Sequence, residues 1–288
     1  MKSNKLLELL KEKDCLRVLE AVNGLEAMIA ENAGNGEKSF DALWLSGFCH
    51  AAHKGMPDDG KMPVQFKIEA LDEIAAVSRL PVIVDCDTGG TASETAETAQ
   101  KIGNRAKALV IEDKRGAKRN SLYGKSVNQE MEAAEIFSEK LLGAKKAASA
   151  YGTLVFARLE SLIAGETMET AAKRAEMYIA AGADGIVLHS VDESGSDIFR
   201  LAEIIRRKNV EIPIIMIPTV YNTYTFEELR NRGANIVIYA NQLTRSAYKA
   251  MKKTAESILS SGNSRYADEN YCVPARELLK AIEGEIND

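Results

Sequence analysis

The chain has 288 residues, of which 45% are hydrophobic and 27% charged, and its formal net charge is -5. That is globular composition, enough for a sizeable core without disulfide or metal staples. A mildly acidic chain with scattered Lys and Arg argues against a nucleic-acid surface, and no apolar run approaches the roughly 20 residues of a membrane span.

Cys15, Cys49, Cys86 and Cys272 form no CxxC pair and no zinc spacing, so free thiols in a reducing compartment are expected. The opening residues, MKSNKLLELLKEKD, carry no long apolar stretch of the secretory type, and a cytoplasmic protein is expected.

In chain order, short apolar runs predict strands at 16–21, 42–46, 82–85, 108–112, 154–159, 185–189, 212–217 and 236–240. Amphipathic segments lie between them. TASETAETAQKIG (91–103) opens on capping Thr and Ser residues and stops at Gly103. METAAKRAEMYIAAGAD (168–184) and SDIFRLAEIIRRKN (196–209) are helical by composition and spacing. Eight β-then-α units with near-continuous apolar strands predict a (β/α)8 TIM-type barrel. A doubly wound open sheet is the alternative, but no GxGxxG follows the first strand. The whole chain reads as one barrel domain, with 262–288 a C-terminal helical extension.

In such a barrel, reacting groups sit where strands end and βα loops begin. The strand ends here are Glu20, Ser46-Gly47-Phe48, Asp85 and Asp87, Glu112-Asp113-Lys114, Arg158 and Glu160, His189-Ser190, Thr219 and Asn241. Almost every strand delivers a polar group to one rim. Asp85 and Asp87 stand at i and i+2, so on a strand they would face the same way and repel unless a cation lies near. With Glu112 they make an all-oxygen set that suits Mg²⁺, or Mn²⁺, rather than zinc. The alternative is a structural network of these acids with Lys and Arg. Arg158 suits a carboxylate or a phosphate, with His189 beside it; His50 and His53 are weaker candidates. The segment KRGAKRNSLYGK (114–125) carries five basic residues and two glycines. It reads as a mobile lid over a small, multiply anionic substrate or, more plainly, as a solvated basic loop.

The stretches EAVNGLEAMIAENAG, LWLSGF, VDCDTGG, IEDKRGAKRNSL, VFARLESLIAGETMETAAKRAEMYIAAGADGIVLHS and IPTVYNTYTFEELRNRGANIVIYAN resemble the phosphoenolpyruvate mutase family of the isocitrate lyase superfamily. The likeness runs from about residue 16 to 260, and its most specific element is Glu112-Asp113-Lys114 followed by Asn120-Ser121. It implies a (β/α)8 barrel whose terminal helix is exchanged between subunits of a dimer or tetramer. It implies that Ser46, with the Gly47 and Phe48 N–H groups, holds a substrate carboxylate, and that Trp44 walls the pocket. Asp58, Asp85, Asp87 and Glu112 would surround Mg²⁺. Arg158, His189 and Asn120 would handle the phosphoryl group, with Lys118 and Ser121 at matching lid positions. The implied reaction interconverts phosphoenolpyruvate and phosphonopyruvate. The family's DTGYG is Asp87-Thr88-Gly89-Gly90-Thr91 here, a change expected to widen the pocket, and 34–41 carries an insertion. The lid lacks the Cys of the carbon–carbon lyases, and Asn120 stands where phosphonopyruvate hydrolase has Thr. The alternatives are such a hydrolase, a mutase for a modified substrate, or a non-catalytic anion-binding barrel.

Overall fold

This computed structural model describes residues 3–34, 36–116 and 118–283, without the side chain of Lys125. Ala117 and Lys125 of the predicted lid, Asn35 of the insertion and 284–288 of the extension therefore lie, in whole or in side chain, outside the described residues.

All eight predicted strands form: β1 (Leu16–Glu20), β2 (Ala42–Leu45), β3 (Val82–Asp85), β4 (Ala108–Glu112), β5 (Leu154–Leu159), β6 (Gly185–Leu188), β7 (Ile214–Met216) and β8 (Ile236–Tyr239). Each pairs in parallel with its sequence neighbour, and β1 pairs with β8, closing the predicted (β/α)8 barrel. β7 is shorter than expected. Pro213 has no N–H for the ladder, although its carbonyl still accepts from Ile186 N at 2.9 Å. The predicted helices appear as Ala92–Ile102, Met168–Ala180 and Ser196–Lys208. The first opens on a capping box, in which Thr91 Oγ1 accepts from Glu94 N and Glu94 Oε2 from Thr91 N.

The two-residue strand period builds the interior. Leu16 and Val18, Ala42 and Trp44, Ala108 and Val110, and Leu154 and Phe156 all join one buried cluster. Phe156 fills space that β6 must vacate. A Cβ on Gly185 would come within 2.8 Å of its ring, so only glycine fits. Leu6, from the helix Lys5–Glu12, joins the same cluster. Asn4 caps that helix and pins it, donating from Nδ2 to the carbonyls of Lys107 and Gly152 at 2.9 and 2.8 Å, just ahead of β4 and β5. The next step of the same alternation, at the other end, carries Glu20, Asp85, Glu112 and Arg158. The apolar core thus turns polar at the strands' C-terminal rim.

The chain forms two compact units, Met1–Asn241 and Gln242–Asp288, a boundary ahead of the predicted extension at 262. In the second, helices span Gln242–Ser261, Arg265–Asn270 and Ala275–Glu283. Tyr266 and Tyr271 meet edge to face at 6.1 Å, and the helix Ala275–Glu283 buries none of its described side chains.

Candidate active site

β3 ends at Asp85, and Asp87 lies beyond it in the left-handed region with φ 55°. The two acids are therefore not strand neighbours on one face; a turn re-aims the second. Two ammonium groups separate their charges. Lys67, from the helix Val64–Val77, donates to the Asp85 carbonyl at 2.8 Å and to Asp87 Oδ2 at 3.3 Å. Lys118, from the lid, donates to Asp58 Oδ1 at 2.7 Å and to Asp87 Oδ1, and stands 3.9 Å from Asp85 Oδ2. Burial by itself would raise the Asp87 carboxyl, but Lys118 and Lys67 override it and hold Asp87 well below the ordinary carboxylate range. Burial opposes the charge on Lys118 too, and Asp87, Asp85, Glu112 and Asp58 together raise it well above its usual value. Gly47 leaves room for this knot. A Cβ there would lie 2.8 Å from Asp87 Oδ1 and 3.1 Å from Lys118 Nζ.

A second polar cluster joins β5, β6 and the lid. Glu160, fully buried, accepts Arg158 Nε on Oε1 at 2.5 Å and Ser121 Oγ on Oε2 at 2.6 Å. Arg158 Nη2 lies 2.8 Å from His189 Nδ1. Burial first, and Arg158 second, lower the proton affinity of His189 and favour its neutral ring. Lys114 braces the lid's base, donating to Arg119 O at 2.7 Å, Ser121 Oγ at 2.9 Å and Gln129 Oε1 at 3.2 Å. Asn120 closes the lid's far side, donating to Asp58 Oδ2 at 2.7 Å.

Under this lid lies a cavity of about 60 Å³. Trp44, Ser46, Phe48, Asp85, Lys118, Asn120, Ser121, Arg158 and His189 line it, so most residues singled out by sequence converge there. Leu122, Ile217, Thr219, Ala240 and Asn241 complete the wall. None of the four cysteines reaches it.

The match to known proteins agrees with this geometry. The family model described as phosphoenolpyruvate phosphomutase covers residues 6–259. The chain belongs to the phosphoenolpyruvate mutase family. It is 33% identical to the phosphoenolpyruvate phosphomutase of Tetrahymena pyriformis over 89% of this chain and 83% of that protein. Among solved structures, a phosphoenolpyruvate phosphomutase from Streptomyces platensis subsp. rosaceus superposes with TM-score 0.88 at 31% identity, covering 98% of this chain and 95% of that one. Phosphonopyruvate hydrolase in complex with oxalate and Mg²⁺ gives 0.85 at 28%, covering 99% and 96%. Curated relatives at about 30% identity also include 2-methylisocitrate lyases. No helix among the described residues is long and apolar enough to cross a membrane.

Within this mutase-family barrel, the remaining predicted residues stand behind the cavity wall. Asp58 and Asp87 grip Lys118. The Gly47 N–H donates to Asp85 Oδ2 at 3.2 Å rather than pointing at open space. Glu112 is 1% exposed, with no hydrogen bond to either oxygen and Lys114 Nζ 3.5 Å away; burial raises its carboxyl to about 7. Gly89 and Gly90 do not line this cavity. Both glycines have positive φ, and they border a separate hollow of about 310 Å³ behind Asp87.

Among the described residues, no three acids, histidines or cysteines stand as a metal cage in this lid position. Lys118 Nζ lies among these carboxylates, paired with Asp58 and Asp87. The donor set nonetheless fits a hard divalent ion: its groups are carboxylates, and Glu112 is buried with both oxygens orphaned. Sequence reasoning missed Lys67 and gave Glu160 no role. Their only signal was charge: Lys67 is a lone cation on an otherwise apolar helix face, and Glu160 lies two residues past Arg158.

Proposed function

We propose that this family member is a phosphoenolpyruvate mutase, interconverting phosphoenolpyruvate and phosphonopyruvate in the cytoplasm. The observation that carries this reading is the lid. Asn120 reaches Asp58 over a small, thiol-free cavity lined by Arg158, His189 and Ser46. The reaction breaks the P–O bond of the enol phosphate and forms a P–C bond to C3 of the same three-carbon unit, with no net oxidation and no water consumed. The protein's task is therefore to hold a metaphosphate-like fragment while the enolate re-presents its carbon.

Arg158 offers fixed guanidinium donors to the phosphoryl oxygens, and neutral His189 lies beside it. Ser46 supports the carboxylate end, and Trp44 and Phe48 wall the enolate. Asn120 rides on the lid, so closure brings its amide to the phosphoryl group and excludes the water that would divert it to phosphate, while Ser121 ties the lid to Glu160. Asp85, Asp87, Glu112 and Asp58 would hold Mg²⁺, which when bound supplies positive charge to oxygens of the substrate. The absence of a cavity thiol disfavours the carbon–carbon lyase chemistry of other relatives. Assembly into dimers or tetramers belongs to the same reading, supported by Leu278, Leu279 and Ile282, which remain exposed on a helix with no buried face.

The test is phosphorus NMR of the purified protein with phosphonopyruvate and Mg²⁺. Phosphoenolpyruvate as product, lost on chelation, is the expected result. Inorganic phosphate would make the protein a hydrolase, and an unchanged spectrum would overturn the substrate assignment.

A further inference from the structure

We propose that Glu160 is a positioning residue. It holds Arg158 so that a guanidinium N–H ends on Nδ1 of His189, fixing the imidazole as its Nε2–H tautomer, and through Ser121 it ties that arrangement to the closed lid.

The geometry forces a choice at one atom. His189 Nδ1 lies 2.8 Å from Arg158 Nη2 and 2.9 Å from Glu160 Oε1. A ring nitrogen either accepts from the first or donates to the second. Arg158 is a permanent donor, so a protonated Nδ1 would set two donors head to head. A bare Nδ1 is satisfied by Arg158; it also faces the lone pairs of Glu160 Oε1, whose charge Arg158 Nε offsets at 2.5 Å. The salt bridge thus aims Nη2 at the imidazole. The ring's remaining nitrogen, on a residue lining the cavity, then carries the proton.

Glu160 can impose this because it is itself immobile. It is fully buried, and its backbone N–H donates to Asp113 Oδ1 at 2.8 Å. Asp113 is anchored in turn by the Tyr178 hydroxyl at 2.8 Å. Glu160's second oxygen takes the Ser121 hydroxyl at 2.6 Å, and Ser121 belongs to the lid. One carboxylate therefore contacts the Arg–His pair on one side and the lid on the other, and the same Ser121 oxygen accepts Arg158 Nη2 at 3.2 Å and Lys114 Nζ at 2.9 Å. The inference rests on the proposed mutase reading only for the use of the Nε2–H, which would donate to a phosphoryl oxygen.

The test needs no turnover. The chain has three histidines, His50, His53 and His189, so a ¹⁵N-labelled sample gives few imidazole signals, and His189→Gln assigns the one at issue. In the wild type, His189 should show a protonated Nε2 and a bare Nδ1. Glu160→Gln, which keeps shape but removes charge, should convert this to a mixture of tautomers. Ser121→Ala, which leaves the salt bridge intact, should keep the wild-type imidazole pattern and make the lid more readily cut by protease. A protonated Nδ1 in the wild type, an unaltered pattern in Glu160→Gln, or an unaltered lid in Ser121→Ala would each overturn the proposal. The last variant keeps the test decisive if Glu160→Gln fails to fold. Failure of the mutase reading would show separately, as an unchanged phosphorus spectrum with the tautomer as stated.

Discussion

Replacing Lys118 with Met removes one ammonium from among Asp58, Asp85 and Asp87 while preserving most of the side chain's bulk. The Lys118 side chain is 5% exposed and its Nζ lies 2.7 Å from Asp58, so Asp58 would lose its cation and Asp87 would keep only Lys67. Breaking a buried pair by removing one member costs about 3–5 kcal/mol. Because Lys118 sits on a loop, the acids can recover water by letting the loop swing out, and the barrel need not unfold. The loss should therefore appear as lid opening. At about 1.4 kcal/mol per tenfold, the open population should rise roughly 100- to 4,000-fold, up to the limit of a fully open loop. An arginine-specific protease reports this directly. Arg115 and Arg119 are exposed and unaffected by the substitution, and cleavage follows the open fraction when closing is fast. On the proposed reading Mg²⁺ would compete with the ammonium for the same carboxylates, so it should raise lid cleavage in the wild type and bind Lys118→Met more tightly. Unchanged cleavage of Lys118→Met would refute the claim that this ion pair holds the lid shut.

Ser46→Ala should weaken binding of oxalate, a planar dianion resembling pyruvate enolate, by roughly 1.5–3 kcal/mol in titration calorimetry; equal affinity would place the carboxylate elsewhere. Asn120→Ala should sharply lower turnover in the phosphorus assay while Mg²⁺ affinity is retained, and a matching loss of metal binding would contradict its role as a lid donor. His50 is 2% exposed, its Nδ1 has no hydrogen-bond partner, and burial, then Lys67, Lys54 and His53, lower its pKa from 6.5 to about 4 against the weaker pull of Asp87. The unfolded chain takes up this proton below pH 6.5 and the folded chain resists until about pH 4. Stability is therefore fully present above 6.5 and falls by up to roughly 3 kcal/mol as the pH drops through that window. Urea denaturation from pH 7 to 4 should show the loss, and His50→Gln should reduce it; parallel curves for the two proteins would exclude His50 as the cause.

The sequence by itself determined the barrel and most of its rim, because both rest on local rules. Apolar runs of strand length, alternating with helical spacing, specify a parallel sheet under helices. The two-residue period that buries Val110 and Phe156 also places Glu112 and Arg158 one step higher. The lid was legible as a basic, glycine-bearing stretch straight after β4. What only the tertiary structure decided is how those charges pair. Asp58 and Asn120 are 62 residues apart in the chain, Asp87 and Lys118 31, and Arg158 and His189 31; each meeting depends on strands that pair side by side across intervening helices. The left-handed turn at Asp87, the approach of Lys67 from a helix outside the barrel wall and the sharing of Glu160 among three elements leave no periodic trace. A side chain's type records what it can donate or accept, whereas its partner is set by the three-dimensional path of segments far away in sequence.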